Sequence, residues 1–259
     1  MFRHQIPLSF GANVLLFIII EVLYLQLYMK ILKLDAIDST NSYLKDLIKD
    51  SDVKNWTVVV AEYQTNGKGQ LDNSWFSDKG KNLTFSILVK FDHLKVKHQC
   101  YLNYSISIAL FNVLKYYIPK KLSVKWPNDI LSANKKVSGI LIENSIKNDT
   151  VNYAIIGIGL NINQVNFPKD VLNATSLKNV LKKTVDKDEL FDKILLEIQY
   201  QFVLIKQKKF LEIKQMYEEV LYKKSIPSMF IDSENNTFLG KIIGVGIDGK
   251  LQIELENDL

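Results

Sequence analysis

The sequence predicts an α+β protein, and three observations carry that prediction. Short β-branched runs follow one another across hairpin-length connections, most plainly Lys136 to Asn144 and Val151 to Asn163 around Lys147-Asn148-Asp149. Amphipathic helical stretches are grouped, at Gln99 to Ile118 and from about Lys187 to Lys224, instead of alternating one for one with strands. After Ile226-Pro227 the texture changes to short strands with glycine turns. Antiparallel strands with segregated helices mean α+β and not a doubly wound sheet.

The elements are justified in chain order. Ile31 to Leu34 reads as a short strand. Asp38-Ser39-Thr40-Asn41 is a helix-start signal, because these side chains accept from the free N–H groups of a first turn, and Tyr43, Leu44, Leu47 and Ile48 follow at helical spacing. Trp56 to Tyr63 is a buried strand, and Leu83 to Phe91 alternates as another. Between them, Gln64 to Asn82 is a polar, glycine-containing loop, and a loop of that length inside a compact domain is usually functional. Leu102, Ile106, Ala109, Leu110, Val113 and Tyr117 form one helical stripe. Leu122 to Trp126 is a strand stopped by Pro127. Leu190, Ile194, Leu195 and Ile198 mark the first of two late helices. Phe238 to Val245 and Leu251 to Leu255, around Asp248-Gly249, make a β appendix too small to be stable alone.

Composition removes several classes. A chain of 259 residues with 47% hydrophobic and 24% charged residues is neither disordered nor collagen-like. The single cysteine, Cys100, excludes a disulfide scaffold and a cysteine-based zinc site. His4, His93 and His98 show no paired metal-ligand spacing. The net charge of +5 comes from scattered lysine pairs interleaved with acids, which read as solvated faces; a nucleic-acid binder would more often show one clustered basic stripe, and an anionic small molecule stays compatible. Val14 to Ile20 is a continuous apolar run, but Glu21 interrupts it short of a membrane span, and no small-residue cleavage site follows. Residues 1–28 are therefore read as a hydrophobic extension outside the core. Met29 as the start of the functional chain is favoured over membrane anchoring, and a cytoplasmic location is expected.

Four constellations carry chemistry. Gly67-Lys68-Gly69-Gln70 has the make-up of an anion-cradling nest with a cation added, although a flexible hairpin loop uses the same residues. Lys125-Trp126-Pro127-Asn128-Asp129 puts an acid at a sheet end, where it suits magnesium or a ribose hydroxyl, or forms a plain turn. Lys136 opens a strand in which Gly139 permits close backbone approach, a placement that suits a phosphate contact or an ordinary strand-end lysine facing solvent. Gly157 and Gly159 lie in an apolar strand, where glycine weakens the strand unless something packs close. Asn161 and Asn163 follow at period two and are expected on one face.

In this order the constellations resemble the biotin–protein ligase family (biotin–[acetyl-CoA-carboxylase] ligases). Asp38 to Asn41, Glu62 to Gly69 with Trp75-Phe76-Ser77, Lys125 to Asp129, and Lys136 to Glu143 with Gly157 to Asn161 carry the resemblance, strongly from Ile31 to Asn163. It implies a class II aminoacyl-tRNA-synthetase-like mixed sheet flanked by helices over residues 29–224, and a small SH3-like β domain over 225–259 that stops early. It implies joining of biotin to ATP as biotinyl-5′-AMP, then transfer to one lysine of a biotin carboxyl carrier protein. Biotin contacts are carried over to Ser39, Thr40, Asn41, Gln64, Lys68, Gly69, Gln70 and Gly139. Nucleotide contacts go to Gly67, Trp75, Lys125, Asn128, Asp129 and Asn161; Lys136 is the catalytic residue, and Asp129 would hold Mg²⁺ arriving with ATP. No permanently bound cofactor and no DNA partner are expected, and a weak homodimer is compatible with the resemblance. The family's loop often reads GRGRxGR, whereas here Lys68 lacks the guanidinium fork, Gln70 and Asn73 are neutral, and Asp72 replaces a frequent glycine. A lipoate or octanoate ligase or transferase, and a catalytically weakened biotin-binding protein, are the alternatives.

Overall fold

The structure is a computed structural model that describes residues 29–255 except 72, 169, 170 and 172. The hydrophobic extension 1–28, with the readings of it as an anchor or as a segment upstream of Met29, lies outside the described residues, as does Asp72 of the glycine loop.

The strands are β1 (Lys30–Leu34), β2 (Thr57–Ala61), β3 (Leu83–Lys95), β4 (Leu122–Lys125), β5 (Asp129–Ser132), β6 (Lys135–Lys147), β7 (Thr150–Leu160), β8 (Ser228–Ile231), β9 (Thr237–Val245) and β10 (Leu251–Leu255). The helices are α1 (Thr40–Asp50), α2 (Cys100–Leu114), α3 (Leu177–Leu181), α4 (Lys187–Lys206) and α5 (Phe210–Glu219). A seven-stranded sheet has the order β1-β2-β3-β7-β6-β5-β4, and a separate three-stranded sheet has the order β10-β9-β8. β1 and β2 pair in parallel through the α1 crossover, and every other pair is antiparallel, so the large sheet is mixed.

Side-chain alternation separates the two faces of the large sheet. Val58, Phe85, Ile87, Ile156 and Ile158 pack into the main core with α2, α4 and α5. Phe85 meets Phe191 of α4 edge-on at 5.1 Å between ring centroids. Burying such a ring contributes about 1.5–3 kcal/mol. Val59, Leu88 and Ile155 point the other way, against Leu44 of α1. The β6–β7 hairpin turns at Asn148 and Asp149, both at positive φ (50° and 60°), the backbone that a two-residue turn matched to strand twist requires.

Two expectations need correction, and one helix is added. β5 replaces what the sequence presented as the end of the sheet, so Asp129 opens a strand. α3 was not foreseen; Ser176 caps it by accepting from the Asn179 N–H at 3.1 Å. β7 ends at Leu160, so Asn161 and Asn163 do not share a strand face. Asn163 instead accepts from the Val185 N–H (3.0 Å) and donates to the Val185 carbonyl (2.9 Å), clipping this segment to the approach to α4.

Candidate functional site

Strand register builds the site. Directly opposed residues of neighbouring strands share a face. One row crosses all seven strands as Leu34, Ala61, Thr84, Gly159, Gly139, Asp129 and Lys125. The adjacent row on the same face reads Val59, Ser86, Gly157 and Leu141, and the next reads Leu88, Ile155 and Glu143. Apolar residues at one end pack under α1, and three glycines leave the middle of the sheet bare.

Space, not backbone conformation, is what these glycines supply. A Cβ on Gly157 would lie 2.3 Å from Asn41 Oδ1, and one on Gly159 would lie 2.2 Å from Trp75 Cε2. A Cβ on Gly139 would lie 2.9 Å from Lys136 Cε and 3.2 Å from Trp75 Cζ3. The bare floor therefore receives the Trp75 ring, the Asn41 amide and the Lys136 stem.

Lys136 reaches this face through a β-bulge. Ile130 pairs with Ser138 but Leu131 pairs with Lys136, so β6 carries one extra residue, Val137. Without it, strict alternation from Gly139 would turn Lys136 to the core side. With it, Val137 joins the main core and Lys136 lies opposite Leu131 on the glycine face. Its Nζ is 2.6 Å from Asp129 Oδ1 and 5.7 Å from the centre of the Trp75 ring.

The glycine loop is a tight hairpin, one of the two readings that the sequence left open. The Gly69 N–H donates to the Asn73 carbonyl (2.7 Å), and the Trp75 N–H donates to the Gly67 carbonyl (2.8 Å). The positive φ (55°) falls on Leu71, not on either glycine. The glycines are needed because Cβ atoms would lie 2.4 Å from the Trp75 carbonyl oxygen at position 67 and 3.0 Å from that of Asn73 at position 69. A cavity of about 390 Å³ lies between this hairpin and β6, lined by Gly67, Lys68, Gly69, Asn73, Leu141 and Glu143.

A buried polar network runs below the hairpin from Gln64 to α1. The Thr40 N–H donates to Gln64 Oε1 at 2.8 Å. Ser86 Oγ lies 2.7 Å from Thr40 Oγ1 and 2.5 Å from Asn41 Oδ1. Asn41 Nδ2 donates to Glu143 Oε2 at 2.8 Å, and Lys45 pairs with the other oxygen of Glu143. Ser39 takes the helix-capping position in extended backbone, but its side chain makes no capping hydrogen bond, so the first turn is started without it.

The remaining expected residues divide by position. Asn128 is engaged with the protein: its Nδ2 donates to the Ile140 carbonyl at 2.7 Å, and its own carbonyl accepts from the Ile140 N–H. Asn161 Oδ1 and Trp75 Nε1 are buried without a hydrogen-bond partner, which leaves both polar atoms for something else. Lys125 is exposed at the rim of the floor, and Lys68 is exposed on the hairpin; the Gln70 carbonyl closes the hairpin by accepting from the Asn73 N–H at 3.2 Å. Among the described residues no group of three or more His, Cys, Asp or Glu side chains gathers to hold a metal ion. Sequence reasoning missed Ser86, and it named Glu143 only as the end of a motif. The signal for Ser86 was the polar pair Thr84 and Ser86 at period two within an apolar strand.

A mixed sheet with a bare glycine floor, a lysine turned onto it by a bulge and a hairpin beside it is the architecture that this chain shares with solved biotin protein ligases. The family model "Biotin/lipoate A/B protein ligase family" matches residues 34–161. The bifunctional ligase/repressor BirA of Bacillus spizizenii is 30% identical over 229 residues, covering 87% of this chain and 69% of that protein. The biotin–[acetyl-CoA-carboxylase] ligase of Mycobacterium tuberculosis is 26% identical over 179 residues, covering 66% of this chain and 64% of that protein. The structure of the Aquifex aeolicus biotin protein ligase in complex with biotin and ATP superposes with a TM-score of 0.73 at 29% identity, covering 89% of this chain and 94% of that one. The chain belongs to the biotin/lipoate A/B protein ligase family.

Proposed function

We propose that the chain is an ATP-dependent biotin–protein ligase. The observation that carries this is the bulge-turned Lys136 above the Gly139–Gly159 floor, beside the Thr40–Gln64 polar pair. The Mycobacterium tuberculosis relative is named a biotin–[acetyl-CoA-carboxylase] ligase, and the Aquifex aeolicus biotin protein ligase structure, at 29% identity, holds biotin and ATP.

In the first step a biotin carboxylate oxygen attacks the α-phosphorus of ATP. A P–O bond forms to that oxygen, the bond to the bridging oxygen breaks, and pyrophosphate leaves with its electron pair. Two anions must meet, so catalysis consists mainly of positioning and charge neutralisation. Lys136 supplies the cation at the meeting point once it exchanges Asp129 for the α-phosphate. Lys68 and Lys125 add positive charge at the cavity and at the rim. Asp129 offers one hard carboxylate oxygen donor, which with the phosphate oxygens of ATP suits Mg²⁺. In the second step the neutral ε-amine of a carrier lysine attacks the mixed-anhydride carbonyl carbon, AMP leaves, and the amine proton passes to solvent. The Gly67–Trp75 hairpin closed over the floor would keep water from the anhydride meanwhile.

The carrier protein as partner, Ser39, Thr40 and Gln64 as the ureido contacts, and Trp75 and Asn161 as nucleotide contacts all belong to this reading, as does a cytoplasmic location. Asn41 and Asn128 are given structural duties within it, because their amides are already bonded inside the protein. The test is to incubate the chain with ATP, magnesium, biotin and a biotin carboxyl carrier domain, and to read the carrier's intact mass. One biotinyl increment is expected with biotin and none with lipoate or octanoate. An increment with lipoate or octanoate alone would reassign the substrate. Biotin binding without pyrophosphate release would leave a binding protein.

A further inference from the structure

The Gln64–Thr40–Ser86–Asn41–Glu143 network has a direction, and its two ends set it. Glu143 is a carboxylate that only accepts, so the Asn41 atom facing it at 2.8 Å is the NH₂, and Oδ1 must face Ser86. Asn41 Oδ1 only accepts, so the Ser86 hydroxyl donates to it. Ser86 has then spent its one proton. The Thr40 hydroxyl has two oxygens in reach, Ser86 at 2.7 Å and Gln64 Oε1 at 3.1 Å, and its one proton goes to Ser86, because with the Ser86 proton on Asn41 the shorter contact would otherwise hold no hydrogen. At the far end a backbone N–H, that of Thr40, needs an acceptor, so the Gln64 atom facing it is Oε1. Gln64 Nε2 is left on the Gly67 side, where a Cβ on that residue would lie 2.9 Å from it.

The network thus shows a ligand an acceptor on Thr40 Oγ1, whose proton is committed, next to a donor on Gln64 Nε2. A vicinal N–H and C=O matches that pair, as in one edge of a cyclic urea. A dithiolane ring or an alkyl tail offers neither and would leave both groups unpaired. Resting on the ligase reading above, we infer that Glu143, acting through Asn41 and Ser86, is a positioning residue that fixes the hydrogen-bond polarity of the ureido-binding pair and so selects biotin over lipoate and octanoate. Lys45 pairs with the other oxygen of Glu143.

The test compares Glu143→Gln, Ser86→Ala and the double variant with the wild-type chain by steady-state kinetics of carrier biotinylation. Glu143→Gln keeps the side-chain shape but gains an amide, which lets Asn41 turn over. Each single variant is expected to raise KM for biotin about tenfold, as one misdirected hydrogen bond does at about 1.4 kcal/mol per decade. KM for ATP should stay within about twofold, and the double variant should lose no more than the worse single one, because both break the same relay. Desthiobiotin, which keeps the urea, should lose affinity in parallel. Unchanged KM for biotin would overturn the inference, and so would KM values for biotin and ATP rising together, which is what simple loosening of the fold would produce. Glu143 is half-buried at the cavity wall, so its isosteric variant stands alone should Ser86→Ala fail to fold. A wild-type chain inactive on biotin would refute the ligase reading itself; an active wild type with indifferent variants would refute only the role of Glu143.

Discussion

A single methyl group at position 159 would meet Trp75 at 2.2 Å, inside any permissible contact. Gly159→Ala must therefore push the indole off the floor, at an overpacking cost of about 1–3 kcal/mol. We expect KM for ATP or biotin to rise about tenfold or more, with far-UV circular dichroism unchanged; a variant with wild-type kinetics would show that Trp75 has no part in the site. Lys136→Ala should act differently. On the proposed ligase reading it removes the cation where charge develops in the transition state, so pyrophosphate release should slow by roughly 10²–10³ while substrate binding changes less. Equal losses in rate and binding would make Lys136 a binding residue only. Much of this was visible in the residues themselves. Glycines in an apolar strand announce a close approach, and Gly157 and Gly159 have one each. What approaches them was not visible: Asn41 and Trp75 come from segments distant in sequence, and only the folded register brings them to the floor.

Most strands were legible because their apolar periodicity is local, and the β6–β7 hairpin was legible because Asn148 and Asp149 tolerate positive φ. β5 was not legible, since four residues after a Pro-Asn turn carry no period of their own. The bulge at Val137 was hidden too. Lys-Val-Ser-Gly alternates acceptably with or without an extra residue, and only pairing with β5 reveals it. A further consequence belongs to the turn Val96–His98. Its His98 ring lies 4.1 Å from Phe210 of α5, and its buried Nδ1 has no hydrogen-bond partner. Burial, then the neighbouring Lys97 charge, lowers the His98 pKa from the ordinary 6.5. The unfolded chain therefore takes up this proton first as pH falls, and stability is lost as pH drops through the ordinary histidine range. Between about pH 7.5 and about pH 5.5 the urea midpoint of the wild-type chain should fall more than that of His98→Gln. Parallel falls would mean that His98 titrates alike in both states.

The small sheet is fastened to the large one by core as well as by polar contacts. Ile242 and Val245 of β9 belong to the same hydrophobic cluster as the large sheet and α2. The Val245 N–H donates to Glu218 at the end of α5 (2.9 Å), and Trp126 Nε1 donates to the Gly249 carbonyl at the β9–β10 turn (2.9 Å). The second link joins the turn preceding Asp129 to the C-terminal sheet. Loss of that sheet would loosen the strand end from which Asp129 meets Lys136. Division at residues 224 and 225, read from the change in sequence texture, would mark a change of sheet but not of core, so the two parts should melt together. Calorimetry should show one transition for residues 29–255, with calorimetric and van't Hoff enthalpies in agreement. Because substrates bind the folded state alone, biotin at a hundred times its dissociation constant should add about 2.7 kcal/mol, and at ~2–4 °C per kcal/mol that single transition should rise by roughly 5–10 °C. Octanoate at equal concentration should move it little, since it cannot pair with Thr40 and Gln64. A second, lower transition that biotin leaves in place would instead show that the C-terminal sheet opens on its own, and that the Trp126–Gly249 link does not carry its order to the catalytic floor.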